Sequence, residues 1–138
     1  MARFFSKPAF TITSKTGACP PALLLHKIKT AVLGSRYELS VAFVSPKEGR
    51  ALHKQFKNTA EALNIFSFPY SLTEGEIVMT LSAARSEAKR FDHTYGEHLA
   101  FLFIHGCVHL LGYDHGEAME KREAVFLKQF KIPNPYKK

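Results

Sequence analysis

A single apolar helix is the strongest constraint that this sequence places on its fold. Residues 97–111 have a helical pattern that is apolar on almost every side, and they include the apolar run at 99–104. A helix without a polar face has to be surrounded by other elements. We therefore expect this helix to lie in the middle of the protein. Its apolar run is far too short to cross a membrane.

The strands are indicated by alternation and by the residues that end them. Leu39, Val41 and Phe43 alternate with polar or small neighbours over residues 38–44, which is the period of a half-buried strand. Pro69 either ends the strand predicted at 65–68 or confines it to an edge of the sheet. Two more strands are predicted at 10–13 and 75–80.

The other helices are indicated by their caps and spacing. Pro20-Pro21 opens a helix that Gly34 ends. The sequence Ser45-Pro46-Lys47-Glu48 has the form of a capping box, so a helix should follow to about Phe56. Residues 81–91 are helical in pattern. An amphipathic helix is predicted at 117–130 from the spacing of Ala118, Arg122, Val125 and Phe126.

Together these elements predict a small α/β (α+β) domain with about four strands and a helix-rich C-terminal half. No internal repeat, low-complexity tract or Gly/Ser linker divides the sequence. We therefore expect one domain across residues 1–138.

Three histidines in the run from His105 to His115 have the spacing of a metal site. His105 and His109 are four residues apart and project from one face of the central helix. Gly112 allows the chain to leave the helix and fold back, which brings His115 towards the other two. Three imidazoles leave the fourth position of a tetrahedral zinc for water, as in a catalytic site. The structural alternative is a pair of hydrogen-bonded core histidines.

Other residues near this run have weaker indications. Cys107 points to a different side of the helix from its neighbours and is interpreted as a small buried apolar residue. Asp114 is either a carboxylate that orients a ligand or a turn former. His98 is interpreted as a hydrogen-bonded core residue. The three histidines on predicted surface segments, His26, His53 and His93, receive no role.

The histidine spacing matches that of the metzincin peptidases, but one residue differs. Those enzymes have Glu after the first histidine as the general base, and this chain has Gly106 there. Without that carboxylate the sequence does not favour peptide hydrolysis.

The chain is basic, with 19 Lys and Arg against 12 Asp and Glu and a net charge of +7. That excess favours anionic partners such as nucleic acid or an acidic membrane surface. A basic surface that only confers solubility explains the charge equally well. Residues 1–8 lack the continuous apolar stretch of a signal peptide, so a cytoplasmic location is expected.

The histidine segment, His105-Gly-x-x-His109-Leu-Leu-Gly112-Tyr113-Asp114-His115, resembles the defining motif of the YbeY endoribonuclease family. Two other blocks, Leu52-x3-Phe56-Lys57 with Asn64 to Pro69, and Gly75-Glu76-Ile77-Val78, are similar to that family in order and spacing. The resemblance implies a mixed sheet packed with helices, one zinc ion and cleavage of single-stranded RNA. It also implies roles in small-subunit rRNA maturation and ribosome quality control, with rRNA and the small ribosomal subunit as partners and neither DNA nor membrane.

Four residues depart from the family pattern. Lys57 stands where the family usually has arginine, so it keeps the charge but loses the two parallel hydrogen bonds that a guanidinium offers a phosphate. Ala60 and Leu63 replace a family Asp and Thr, and Glu76 replaces an Asp. These changes leave the histidines intact and affect the expected grip on substrate.

The predicted mechanism is hydrolysis of an RNA phosphodiester at a zinc ion held by His105, His109 and His115, with Lys57 contacting the phosphate. No protein general base is evident, and either water or the RNA 2′-hydroxyl can be the nucleophile. Two alternatives stay open. One is a ribosome-associated binding factor with a structural zinc, and the other is an inactive basic domain that has kept its metal site.

Overall fold

The computed structural model describes residues 9–14, 22–55 and 65–136. The described strands are β1 (Phe10–Ser14), β2 (Glu38–Val44), β3 (Ile65–Ser71) and β4 (Glu74–Thr80). The described helices are α1 (Ala22–Leu33), α2 (Pro46–Gln55), α3 (Leu81–Ala88), α4 (Tyr95–Leu110) and α5 (Glu117–Gln129), with a 3₁₀ helix at Lys89–Phe91. These elements confirm the predicted α/β class.

The four strands form one mixed sheet in the order β1-β2-β4-β3. β1 and β4 both run parallel to β2, with Ile12 and Ile77 each opposite Val41. β3 runs antiparallel to β4. Because β3 is the last strand in this order, it forms an edge of the sheet. An edge is one of the two positions that Pro69 was expected to allow.

The larger core lies between one face of this sheet and α1, α4 and α5. Leu39, Val41 and Phe43 point into it as predicted, and Ile77 is fully buried beside them. α4 is the central element, because twelve of its sixteen residues are buried. Its position agrees with the all-round apolar pattern.

The opposite face of the sheet carries a smaller core of Val44, Phe66 and Val78, against which Leu52 of α2 packs. α2 has no buried residue. It approaches the sheet closely at Gly49, where an added Cβ would overlap the Thr80 hydroxyl oxygen. α2 is therefore a lightly packed cover over one end of this face.

Two sequence predictions were wrong in detail. His93 was assigned to the surface, but it is buried with 7% exposure. The buried face of α5 is Met119, Glu123, Phe126 and Leu127, whereas Val125 is 55% exposed. Within the described ranges, no helix is both long and apolar enough to cross a membrane.

Candidate metal centre

α4 is fixed at both ends, and this sets where its histidines lie. A capping box begins it: the Glu97 amide donates to Thr94 Oγ1 at 3.1 Å, and the Thr94 amide donates to the Glu97 carboxylate at 2.9 Å. Gly112 follows its C-terminus with φ +105°, a backbone conformation that residues other than glycine rarely adopt. The chain then turns back, as the sequence predicted.

This turn brings the three predicted histidines together. Ring centroids lie 4.7 Å apart for His105 and His109, 4.6 Å for His109 and His115, and 5.4 Å for His105 and His115. One nitrogen of each ring lies within 4.8 Å of those of the other two. His105 is buried, His109 is half-buried and His115 is exposed. The cluster is therefore anchored in the core and open to solvent on one side.

Two of the rings are oriented by acceptors on the far side from the cluster. His105 Nδ1 lies 2.9 Å from Glu123 Oε2, and His109 Nδ1 lies 2.9 Å from the Tyr113 carbonyl oxygen. A carbonyl only accepts, so His109 carries its hydrogen on Nδ1, and an ionised Glu123 requires the same of His105. Nε2 is then the atom that each ring offers to a metal.

Glu123 supplies a test of whether a cation fits this place. Its side chain is fully buried, and its second oxygen, Oε1, has no hydrogen-bond partner among the described residues. A buried carboxylate with incomplete hydrogen bonding is costly unless positive charge lies nearby. A cation held by His105 would supply that charge through the imidazole ring, so the residues present fit a metal ion.

The donor set also limits the kind of ion and its coordination. Three imidazoles suit a late divalent metal rather than calcium or magnesium, which prefer oxygen ligands. Within the part of the chain that the structure describes, no other His, Cys, Asp or Glu joins the group.

A family model described as endoribonuclease YbeY matches residues 18–137. This chain belongs to the YbeY endoribonuclease family. It is 32% identical over 127 residues to endoribonuclease YbeY of Thiobacillus denitrificans, covering 85% of this chain and 86% of that protein. Identity to endoribonuclease YbeY of Stutzerimonas stutzeri is 34% over 139 residues, covering 89% and 87%. Membership of this family indicates that the substrate is RNA and that the reaction is nuclease cleavage.

A solved structure shares the fold. The solution structure of a protein from Thermotoga maritima matches with a TM-score of 0.60, and the match covers 94% of this chain and 96% of the Thermotoga chain. The sequence identity is 21%, so this likeness shows the fold alone.

Gly106, the position at which this YbeY chain departs from the metzincins, faces the sheet. A Cβ built there would lie 2.8 Å from Ile65 Cδ1 and 3.1 Å from both Ile77 Cδ1 and Ser67 Oγ. Ser67 Oγ also donates to the Gly106 carbonyl at 3.1 Å. A glutamate would have to displace the ends of these side chains, so the helix–sheet spacing favours glycine at this position.

Cys107 is fully buried on another side of α4, as predicted. Burial raises the pKa of its thiol, and this effect exceeds the opposing influence of the nearby Lys29 ammonium. A metal ligand has to be a thiolate. The structure therefore agrees with a packing role for Cys107.

His98 is a hydrogen-bonded core residue, as predicted, and it belongs to a buried chain of polar groups. His98 Nε2 lies 2.8 Å from Glu87 Oε1, and its Nδ1 lies 3.1 Å from His93 Nδ1. His93 Nε2 donates to the Pro133 carbonyl at 2.7 Å. This chain ties α3 and the C-terminal segment to α4, and it is the reason that His93 is buried.

Sequence reasoning missed the two acceptors, and the predicted phosphate contact is not described. Asp114 was considered as the orienting carboxylate, but it is exposed, and Glu123 of α5 has that position. A signal existed, because Glu123 is spaced by three or four residues from Met119, Phe126 and Leu127 on an apolar face. Lys57, Ala60 and Leu63 lie outside the described residues.

Proposed function

We propose that this protein is a zinc-dependent endoribonuclease, specific for single strands, that acts in small-subunit rRNA maturation and ribosome quality control. The proposal assigns His105, His109 and His115 as the ligands of one zinc ion. The observation that supports it most is the convergence of these three rings, two of them oriented by Glu123 and Tyr113, in a chain of an endoribonuclease family.

Zinc fits this donor set better than the oxygen-seeking cations do. When bound, it would acidify water and polarise a phosphoryl oxygen. The residues of this chain would hold and orient the reactants around it. Glu123 would fix the His105 ring, the Tyr113 carbonyl would fix the His109 ring, and Lys57 is proposed to contact the scissile phosphate.

The open side of the cluster is the feature that supports catalysis over a structural zinc. A structural zinc is normally closed by four protein ligands. The described residues bring only three histidines together, and the third of them, His115, is exposed. RNA therefore has access to the place where the metal would lie.

A cleavage assay on a defined single-stranded RNA tests the proposal. Zinc-replete wild type should cut it, whereas stripped protein and His109→Ala should lose at least a hundredfold in rate, because each lacks the assembled site. His26→Ala is the matched control, since His26 is an exposed histidine remote from the cluster in sequence. Cleavage that persists in His109→Ala would refute the assignment. End-group analysis separates attack by water from attack by the 2′-hydroxyl.

The ribosomal role is tested separately in cells. We propose the small ribosomal subunit as the partner and the cytoplasm as the location. Cells without the protein should accumulate immature small-subunit rRNA, and wild type but not His115→Ala should restore processing. Restoration by His115→Ala would favour the binding-factor alternative.

A further inference from the structure

A second candidate RNA contact lies on the other face of the sheet from the histidines. A cavity of about 500 Å³ opens between α2 and the start of α3. This volume is in the range of sites that hold one small ligand. Phe66 and Thr80, which line it, belong to the face covered by α2. The cavity is therefore separate from the candidate metal centre.

The wall formed by α2 is positively charged. Arg50 and Lys54 are one helical turn apart, both are exposed, and both line the cavity together with His53. No Asp or Glu is among the described residues that line it. Neither cation forms an ion pair with another described residue. The cavity is therefore electrostatically suited to an anion.

The opposite wall offers hydroxyl groups. Thr80, Ser82 and Ser86 line it, at and after the start of α3. Thr80 is the N-cap residue and is only 8% exposed, yet its side chain makes no capping hydrogen bond. Hydroxyls of this kind commonly contact phosphate oxygens in nucleic-acid complexes. Ser86 Oγ already donates to the Ala83 carbonyl at 3.1 Å, so Thr80 and Ser82 are the hydroxyls that can donate to a phosphate group beside the charged wall.

An aromatic side chain completes the lining. The Phe66 ring stacks with Phe68 at a centroid distance of 6.3 Å and has His53 at its edge at 6.4 Å. Aromatic rings beside a cationic groove are the usual means of holding single-stranded nucleic acid without sequence preference. Phe66 is largely buried, at 9% exposure, so only the part of the ring that lines the cavity is available to a base.

We propose that this cavity binds one nucleotide of the single-stranded RNA substrate away from the cleavage point, through a phosphate between Arg50, Lys54 and the hydroxyls of Thr80 and Ser82. The inference rests on the proposed function and adds a second RNA contact to it. Long substrates would then bind more tightly than short ones, whereas the chemistry at the histidines would not depend on the cavity.

Binding of a cleavage-resistant single-stranded RNA of about twelve nucleotides to the zinc-replete protein tests this. Each phosphate contact on a single strand contributes about 0.7 to the slope of log K against log salt, so Arg50→Gln with Lys54→Gln, which removes both cations from one phosphate, should lower the slope by about 0.7. At ~0.1 M salt this corresponds to roughly fivefold weaker binding. The control pair, Lys27→Gln with Lys128→Gln, removes the same charge from exposed positions on α1 and α5.

A second variant guards against unfolding as the cause. Ser82→Glu adds a carboxylate to the first turn of α3, where negative charge stabilises a helix, so it should weaken RNA binding without loss of stability. Equal weakening by the control pair, or unchanged binding in Ser82→Glu and the Arg50/Lys54 pair, would overturn the proposal. So would competition by polyglutamate as effective as that by RNA. Cleavage of a trinucleotide by the control pair should match wild type, and its absence in wild type would instead refute the proposed function.

Discussion

The Glu123→Gln variant tests whether the orientation of the proposed ligand His105 affects zinc affinity while His105 itself is kept. Glu123 accepts from His105 Nδ1 at 2.9 Å, and its side chain is fully buried, so solvent does not screen the interaction. Metal binding to the same ring withdraws electron density and makes Nδ1–H a stronger donor. The carboxylate therefore stabilises the metal-bound state more than the metal-free state.

The size of this effect follows from the change of acceptor. A hydrogen bond to a charged group contributes about 1.5–3 kcal/mol, and one between neutral groups about 0.5–1.5 kcal/mol. An amide in the same place should cost about 1.4 kcal/mol of binding free energy, which is roughly a tenfold loss of zinc affinity. Glu123→Ala removes the acceptor altogether and should approach the loss of about a hundredfold expected for an outer partner.

Competition against a chromophoric chelator at fixed pH measures the affinity directly. Glu120→Gln is the matched control, because Glu120 lies on the same helix but is exposed. Circular dichroism of the metal-free variants checks that α5 is still folded. If Glu123→Gln binds zinc within twofold of wild type while retaining its fold, the carboxylate does not support the His105 ligand and this reasoning is wrong.

Three further predictions concern metal, packing and pH. When free zinc is kept at about a hundred times its Kd, its removal should lower the free energy of unfolding by about 2.7 kcal/mol and the Tm by about 10 °C in a calorimetric scan. An unchanged Tm would contradict metal binding by the folded state. In urea unfolding, Gly106→Ala should lose about 1 kcal/mol, because overpacking against Ile65 exceeds the helix-propensity gain, whereas Gly96→Ala has open space and should not be destabilised. Burial lowers the pKa of the Lys29 ammonium below 10.5. Between this lowered pKa and 10.5 the unfolded chain binds more protons than the folded chain, so the free energy of unfolding should rise with pH over that range. Lys29→Met should flatten this rise in unfolding measured at several alkaline pH values, and an identical pH profile would refute it.

Local patterns were sufficient for most of the secondary structure and for the cluster of three histidines. β2 has the predicted bounds, and Gly112 has the positive φ that the turn required. The histidines were predictable because all three lie within one helix and the turn after it. Their geometry depends on helical spacing and one glycine, and both can be read from adjacent residues.

Contacts between distant segments could not be predicted in this way. Glu123 and His105 belong to different helices, and only the packing of α5 on α4 brings them together. The burial of His93 depends on the Pro133 carbonyl, to which His93 donates directly, and on Glu87, which it reaches through His98. β4 lies between β2 and β3, although β3 precedes it in the chain. Each of these features is decided by tertiary packing rather than by periodicity.

The polar partners of α4 explain how an otherwise apolar helix can carry histidines in a core. His98, His105 and His109 follow one side of the helix, and each has an acceptor from a different segment: Glu87 of α3, Glu123 of α5 and the Tyr113 carbonyl. Unpaired imidazoles at these positions would each lose hydrogen bonds to water without replacement. Because the acceptors come from separate elements, the rings acquire their orientation as the fold forms. At His105 and His109, metal binding would therefore have little side-chain entropy left to remove, which would favour tight binding at these two ligands.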